Sequence, residues 1–205
     1  FEASFFYTNI QGLPYPGYEY QDYKDKGFNL KLRLKKEGIF PAIAIGLNDF
    51  AGTGLHSSEY IVASYGIKKL DMHFGIGWGQ LNGSKNKINN PFGYIADNFK
   101  SRPIDYEGKG GQLNPSKYFS GETASPFFGI SYVLNNDLIL KIETDATNTE
   151  GLGGPYRSIK YEKKKNDLSF GFDYSINDNF SLGAAFERGN YISLRFIYKN
   201  NPKKV

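Results

Sequence analysis

The chain has no cysteine and only one methionine and one tryptophan among its 205 residues. Without thiols, disulfides, thiolate-bound metals and cysteine nucleophiles are excluded, while the redox compartment stays open. It also lacks any apolar run near the roughly 20 residues that a membrane helix needs. With a mean hydropathy of −0.50, a helical membrane protein is excluded. A membrane barrel is not, because strands that alternate apolar and polar residues average to a hydrophilic score. A dominant charge is missing too. The 25 Lys and Arg against 21 Asp and Glu leave a formal net charge of +4, too slight and too mixed for a dedicated nucleic-acid binder. No initiator Met precedes Phe1, which reads as a processed chain or a fragment. The length fits a single domain over residues 1–205.

What is abundant is aromatic and small: 16 Tyr, 17 Phe and 24 Gly. Aromatics favour pleated sheets and Gly favours turns, bulges and close backbone approach, so the composition points to an all-β fold. Period-two alternation supports this along most of the chain. Phe28, Leu30, Leu32 and Leu34 alternate with Asn29, Lys31, Arg33 and Lys35. Leu70, Met72, Phe74, Ile76 and Trp78 alternate with Asp71, His73 and three Gly. The pattern recurs at Leu138 to Asp145, Leu168 to Ser175, Phe180 to Glu187 and Ile192 to Tyr198. Short polar breaks at Glu37-Gly38, Lys68-Lys69, Asn135-Asn136 and 177–179 are hairpin signals. About ten antiparallel strands are expected, in a range of roughly 8 to 12, with 156–163 the weakest. Two long loops are expected, 11–27 and 82–125.

Strands with one apolar face must hide it, either inward in a soluble sandwich or barrel or outward against lipid. Three features favour lipid. Aromatics stand near strand ends (Phe28, Phe40, Trp78, Phe127, Tyr174, Phe180, Tyr198), as in an interfacial girdle. The opposite rows mix Gly, Ser and Ala with isolated ions, which suits a narrow polar interior. The connections alternate between very short and very long. The expected fold is therefore an antiparallel, up-and-down transmembrane β-barrel of the Gram-negative outer membrane, with further chain completing it if this is a portion.

Specific stretches carry a resemblance. Pro41 to Gly54 (PAIAIGLNDFAGTG), Ser58 to Ser64 (SEYIVAS) and Phe74 to Gly79 (FGIGWG) come first. Tyr118 to Gly121 (YFSG), Phe127 to Tyr132 (FFGISY), Lys141 to Asp145 (KIETD) and Phe186 to Gly189 (FERG) follow in order. Together they resemble the YjbH/GfcD-type exopolysaccharide and capsule proteins of Gram-negative outer membranes. The resemblance implies a porin-like barrel or lipoprotein in secretion or assembly of an extracellular polysaccharide. Members of that family are several times longer, so the chain would correspond to one barrel portion or a shortened relative.

Candidate sites follow from the polar rows. Lys31, Arg33 and Lys35 would favour an anionic polysaccharide inside a pore, or would pair with Glu59, Glu143, Asp145, Asp173 and Glu187 across it. His73, Asp173, Glu187, Glu143, Glu59 and Arg195 are the remaining interior candidates. Tyr15, Tyr18, Tyr20 and Tyr23 could stack on sugar rings or anchor at the interface. His56 and Glu59, close to Ser57 and Ser58, permit a hydrolase reading with His56 as base and Glu59 as its orienter, against a turn with lumen contacts in which Glu59 is a buried or lumenal carboxylate paired to a cation. His73 with Asp71 lacks a third ligand for a metal. No cofactor is called for, and the expected partners are outer-membrane lipid, polysaccharide and other envelope proteins. The rival readings are a barrel enzyme acting on lipid or glycan and a soluble periplasmic β-sandwich that binds a ligand.

Overall fold

The computed structural model describes residues 1–15, 18–52, 54–103, 113–148 and 164–200. Its strands are β1 (Glu2–Tyr15), β2 (Tyr18–Lys35), β3 (Ala42–Asn48), β4 (Ser58–Ile67), β5 (Leu70–Gly79), β6 (Ile88–Asn89), β7 (Thr123–Val133), β8 (Leu138–Thr144), β9 (Leu168–Ser175), β10 (Phe180–Glu187) and β11 (Tyr191–Tyr198). Three short 3-10 turns, Pro91–Tyr94, Asp97–Phe99 and Pro115–Lys117, punctuate the connection from β5 to β7. The long strands lie side by side in sequence order in one antiparallel sheet, and β6 pairs with β7 off that path.

The all-β, antiparallel, up-and-down expectation holds, and two parts of it are corrected. Among the described residues β1 pairs with β2 alone and β11 with β10 alone, so the sheet is not closed into a barrel. Periodicity reports which residues share a face, not whether the two end strands meet. The expected loop 11–27 is instead the turn region of a long β1–β2 hairpin, with Phe5 opposite Phe28 and Ile10 opposite Tyr23. Its Tyr and charged residues obscured the alternation. The expected loop 82–125 is an irregular connection that ends where β7 begins at Thr123. The weak strand expected at 156–163 lies outside the described residues.

Register fixes the two faces, because directly opposed residues point the same way. One row runs Leu70, Tyr132, Leu140, Phe172, Ala184 and Leu194 across the sheet. Beside it run Met72, Ile130, Ile142, Phe170, Phe186 and Ile192. These rows of the apolar face are left uncovered by the described chain: Phe170 is 47% exposed and Leu194 67%. The other face carries Lys31, Arg33, Ser64, His73, Ser131, Lys141, Glu143, Asp173 and Arg195. Phe127, expected among the apolar rows, sits on this polar face opposite Gly75. Its ring occupies the space a Cβ at position 75 would need, and it meets Tyr60 edge-on at 6.4 Å.

The two edges of the sheet differ. At one edge the turns are compact. Lys68-Lys69 closes β4–β5, with Lys68 at φ 56°. Asn135 Oδ1 accepts from the Asp137 and Leu138 amides at 2.9 Å, and Asn177 Oδ1 accepts from Asn179 and Phe180 at 2.9 Å, the local side-chain bonding that makes Asn a turn residue. At the other edge lie the β3–β4 loop (49–57), the β5–β7 connection (80–122) and the β8–β9 connection (145–167), beside the shorter β10–β11 turn. These long segments are tied together: Gly83 donates to Ala146 O at 2.7 Å, Asn148 to Gln80 O at 2.7 Å, and Lys85 N to Asp167 Oδ2 at 3.1 Å. Arg188 pairs with Asp145 in the same layer. The buried Trp78, Leu55, Ala124 and Ala146 gather here.

Candidate binding surface

On the polar face, β8 to β11 build one cluster. Asp173 of β9 accepts from Lys141 of β8 on one oxygen and from Arg195 of β11 on the other. Arg195 reaches across β10 because the residue between them is Gly183, where a Cβ would collide with Asp173 Oδ1. Ser193 donates to Glu187 Oε1 at 2.6 Å. A cavity of about 330 Å³ opens over Lys141, Glu143, Asp173, Glu187 and Arg195. Four of the sequence candidates (Glu143, Asp173, Glu187, Arg195) are thus brought together, joined by Lys141.

His73, on the same face, holds Ser64 Oγ at 2.8 Å through Nδ1 and lies 3.5 Å from Asp71 Oδ2 through Nε2. Farther along, Lys31 and Arg33 flank a second cavity of about 320 Å³ with Ala44, Val62 and Ser64. Lys31 approaches Glu2 at 3.9 Å. No ion pair among the described residues joins this row to Glu59, Glu143, Asp145, Asp173 or Glu187; Arg102 takes Glu59, Arg188 takes Asp145, and Lys141 and Arg195 take Asp173. Lys35 leaves the row. A bulge after Arg33 sets it opposite Ile43, a residue of the apolar face, and its ammonium lies 4.4 Å from the Phe40 ring centre.

Glu59 is on the apolar face, opposite Trp78, and not among the interior polar groups. It is 0% exposed because the β5–β7 connection folds over it. Arg102 grips both carboxylate oxygens, Nη1 to Oε2 at 2.7 Å and Nη2 to Oε1 at 2.8 Å, while the Phe119 amide donates to Oε2 at 3.1 Å. Arg102 also donates to Lys117 O at 2.7 Å. Above Glu59, Trp78 packs against Phe92 at 5.6 Å and Phe119 at 5.3 Å. Trp78 is therefore covered by the chain and is not an interfacial girdle residue. Its Nε1 donates to Asn90 Oδ1 at 3.0 Å, and Asn90 Nδ2 in turn donates to the carbonyls of Phe99, Phe119 and Gly121, each at 2.9 Å. Sequence reasoning missed Arg102 and Asn90, which stand in a stretch without periodicity.

The His56–Glu59 hydrolase pairing is not formed, because Glu59 is held by Arg102. His56 Nε2 instead lies 3.5 Å from Oδ2 of buried Asp25. The β3–β4 loop folds over β2 here, with the His56 amide donating to Asp49 Oδ2 at 3.0 Å and the Asp49 amide to Asn29 Oδ1 at 3.0 Å. Burial, then the neighbouring Asp25 carboxylate, push the Asp49 carboxyl up to about 7. Burial holds the His56 imidazole below its usual range, against the opposing pull of Asp25. Of the four tyrosines, Tyr20 is exposed and Tyr23 is buried in the hairpin; the side chains of Tyr15 and Tyr18 lie outside the described set.

The arrangement is that of a sheet protein whose apolar face is largely uncovered by the described residues and whose opposite face carries ion pairs. The chain matches over residues 1–205 the YjbH family model, described as exopolysaccharide biosynthesis protein YbjH, and it belongs to that family. It is 33% identical over 207 aligned residues to the uncharacterized lipoprotein YjbH of Escherichia coli (strain K12). The match takes in 98% of this chain and 28% of that protein, so the chain spans about a quarter of its relative's length. No solved structure matches. The resemblance read from the ordered sequence blocks is borne out.

Proposed function

We propose that this chain is part of the wall of an outer-membrane β-barrel that serves the secretion or assembly of an extracellular polysaccharide, by binding and guiding it and without catalysing bond chemistry. The observation that carries this reading is the uncovered apolar face backed by an ion-paired polar one. In water so much exposed Phe, Leu and Ile would mark an aggregation surface; against acyl chains it is the stable arrangement. Three strands have matching lengths: β4 and β5 with 10 residues each and β7 with 11 fall within the roughly 9–11 that a tilted spanning strand uses, while β3 and β8 to β11 are one or two residues shorter. The relative's description as a lipoprotein is in keeping with an envelope location, and the family's with a role beside polysaccharide and envelope partners. Further strands of a longer polypeptide would meet β1 and β11, whose outer backbone groups otherwise present bare edges.

Lys31 and Arg33, free of the carboxylates that neutralise Lys141 and Arg195, give the interior a cationic wall for an anionic glycan. The reading is tested with single cysteines in the full-length protein in cell envelopes. Phe172→Cys and Leu194→Cys should react with a lipid-soluble maleimide and resist a membrane-impermeant one, whereas Ser131→Cys and Ser181→Cys should react through water. Equal reaction of both sets with the impermeant reagent would overturn it. In cells, Lys31→Glu with Arg33→Glu should lower secreted anionic polysaccharide severalfold.

A further inference from the structure

The β5–β7 connection has an outer surface that the clamp on Glu59 does not use. There a hollow of about 550 Å³ is lined by Asn89, Tyr94, Ile95, Asp97, Lys100 and Glu122, within the roughly 300–1,000 Å³ of small-ligand sites. A buried hydrogen-bond hub holds its floor in place. Asn90 is buried, its amide donates to Glu122 O at 3.0 Å, and its side chain bonds five partners in Trp78, Phe92, Phe99, Phe119 and Gly121. Phe92 lies tilted against Phe99 at 5.5 Å and meets Phe119 edge-on at 5.7 Å.

Over this floor the rim is open to solvent. Tyr94 is 80% exposed, and Asn89 Nδ2 donates to its hydroxyl at 3.4 Å. The Asp97 carboxylate is paired with Lys100 at 2.6 Å, whereas the Glu122 carboxylate has no ion-pair partner among the described residues. A pyranose ring offers one face of C–H groups and a girdle of hydroxyl donors. An aromatic face beside a free carboxylate acceptor matches both. Two carboxylates against one ammonium leave the rim anionic, which repels a uronate and tolerates an uncharged sugar.

We propose that this hollow binds an uncharged pyranose unit, with the Tyr94 ring against its C–H face and the Glu122 carboxylate accepting from its hydroxyls. The site deepens the polysaccharide reading and rests on it. It adds a neutral-sugar contact outside the strand wall to the cationic contact at Lys31 and Arg33. Such a contact would hold a glycan chain at the sheet edge that carries the long connections.

The test is saturation-transfer NMR on the full-length protein in detergent, with methyl α-galactopyranoside, methyl α-glucopyranoside and methyl glucuronide as probes. Transfer to the ring C–H protons of at least one neutral glycoside is expected, with the glucuronide several times weaker. Tyr94→Ala should lower the signal at least fivefold, Tyr94→Phe should retain it, and Glu122→Ala should lower it at least threefold. Because Tyr94 is exposed, its replacement leaves the fold intact, checked by an unchanged circular dichroism spectrum. Absence of transfer from every neutral glycoside, or equal transfer with Tyr94→Ala, overturns the site. Cysteine accessibility on the strands and secretion in cells are independent readouts. If both hold while Tyr94→Ala changes nothing, the site fails and the wall stands; if the sugar binds through Tyr94 but the cysteines show both faces in water, the wall fails.

Discussion

The edge that carries the long connections and the strand wall beneath it solve the problem of apolar surface in opposite ways. At the edge, Trp78 is 1% exposed, roofed by Phe92 and Phe119, and even a carboxylate is sealed in with its cation. On the wall, Phe170, Phe172 and Leu194 stay open although the same chain provides them. A segment that meets water folds its aromatics under its own backbone, and one that meets hydrocarbon has no reason to. Under the proposed membrane placement, the difference between the two regions is a difference between the solvents they face.

The largest expected effect breaks the edge. Arg102→Ala leaves Glu59 as an uncompensated buried charge, which costs about 3–5 kcal/mol. It should appear as a lowered urea midpoint in detergent and as new protease cleavage within 80–122. Next comes the wall. Phe172→Arg should destabilise the lipid-inserted protein by about 2–4 kcal/mol if the site is near the bilayer centre, measured by folding into vesicles. A cost below about 0.5 kcal/mol, the ordinary surface value, would mean that this face meets water and would erase the contrast.

A smaller effect sharpens the picture at the β3–β4 loop. With its folded value near 7 against 3.8 unfolded, Asp49 favours the folded loop fully below about pH 4, and this contribution is lost as pH rises to about 7. His56, whose imidazole is held below its usual range by burial against the pull of Asp25, acts the other way, its contribution being lost as pH falls. The difference in amide protection at His56 between the wild type and Asp49→Asn isolates the Asp49 part. That difference should decline across pH 4 to 7. The least effect belongs to Lys31→Ala, whose 3.9 Å approach to Glu2 is solvent-exposed and is worth about 0–1 kcal/mol, seen as a nearly unchanged urea midpoint.

Alternation made the strands from Phe28 onward legible, along with their antiparallel turns and the ordered blocks that mark the family. It also grouped Glu143, Asp173, Glu187 and Arg195 on one face, since parity along a strand is a local property. The β1–β2 hairpin was hidden because Tyr, Lys and Asp on both faces blur the period. Lys35 was misplaced by a bulge, which shifts parity without leaving a mark in composition. Arg102 and Asn90 had no signal, for their partners are forty-three residues away in one case and three separate carbonyls in the other.

By itself the sequence determined that the chain is all-β, which residues share a face in the regularly alternating strands, and that it belongs with the exopolysaccharide family, because pleat periodicity and ordered motifs are written along the chain. Only the tertiary structure decided that Glu59 and Trp78 lie under the β5–β7 connection, that Asp173 bridges Lys141 and Arg195, and that the sheet ends in two edges. These depend on segments distant in sequence coming together, and register and loop packing, unlike periodicity, are properties of the assembled sheet.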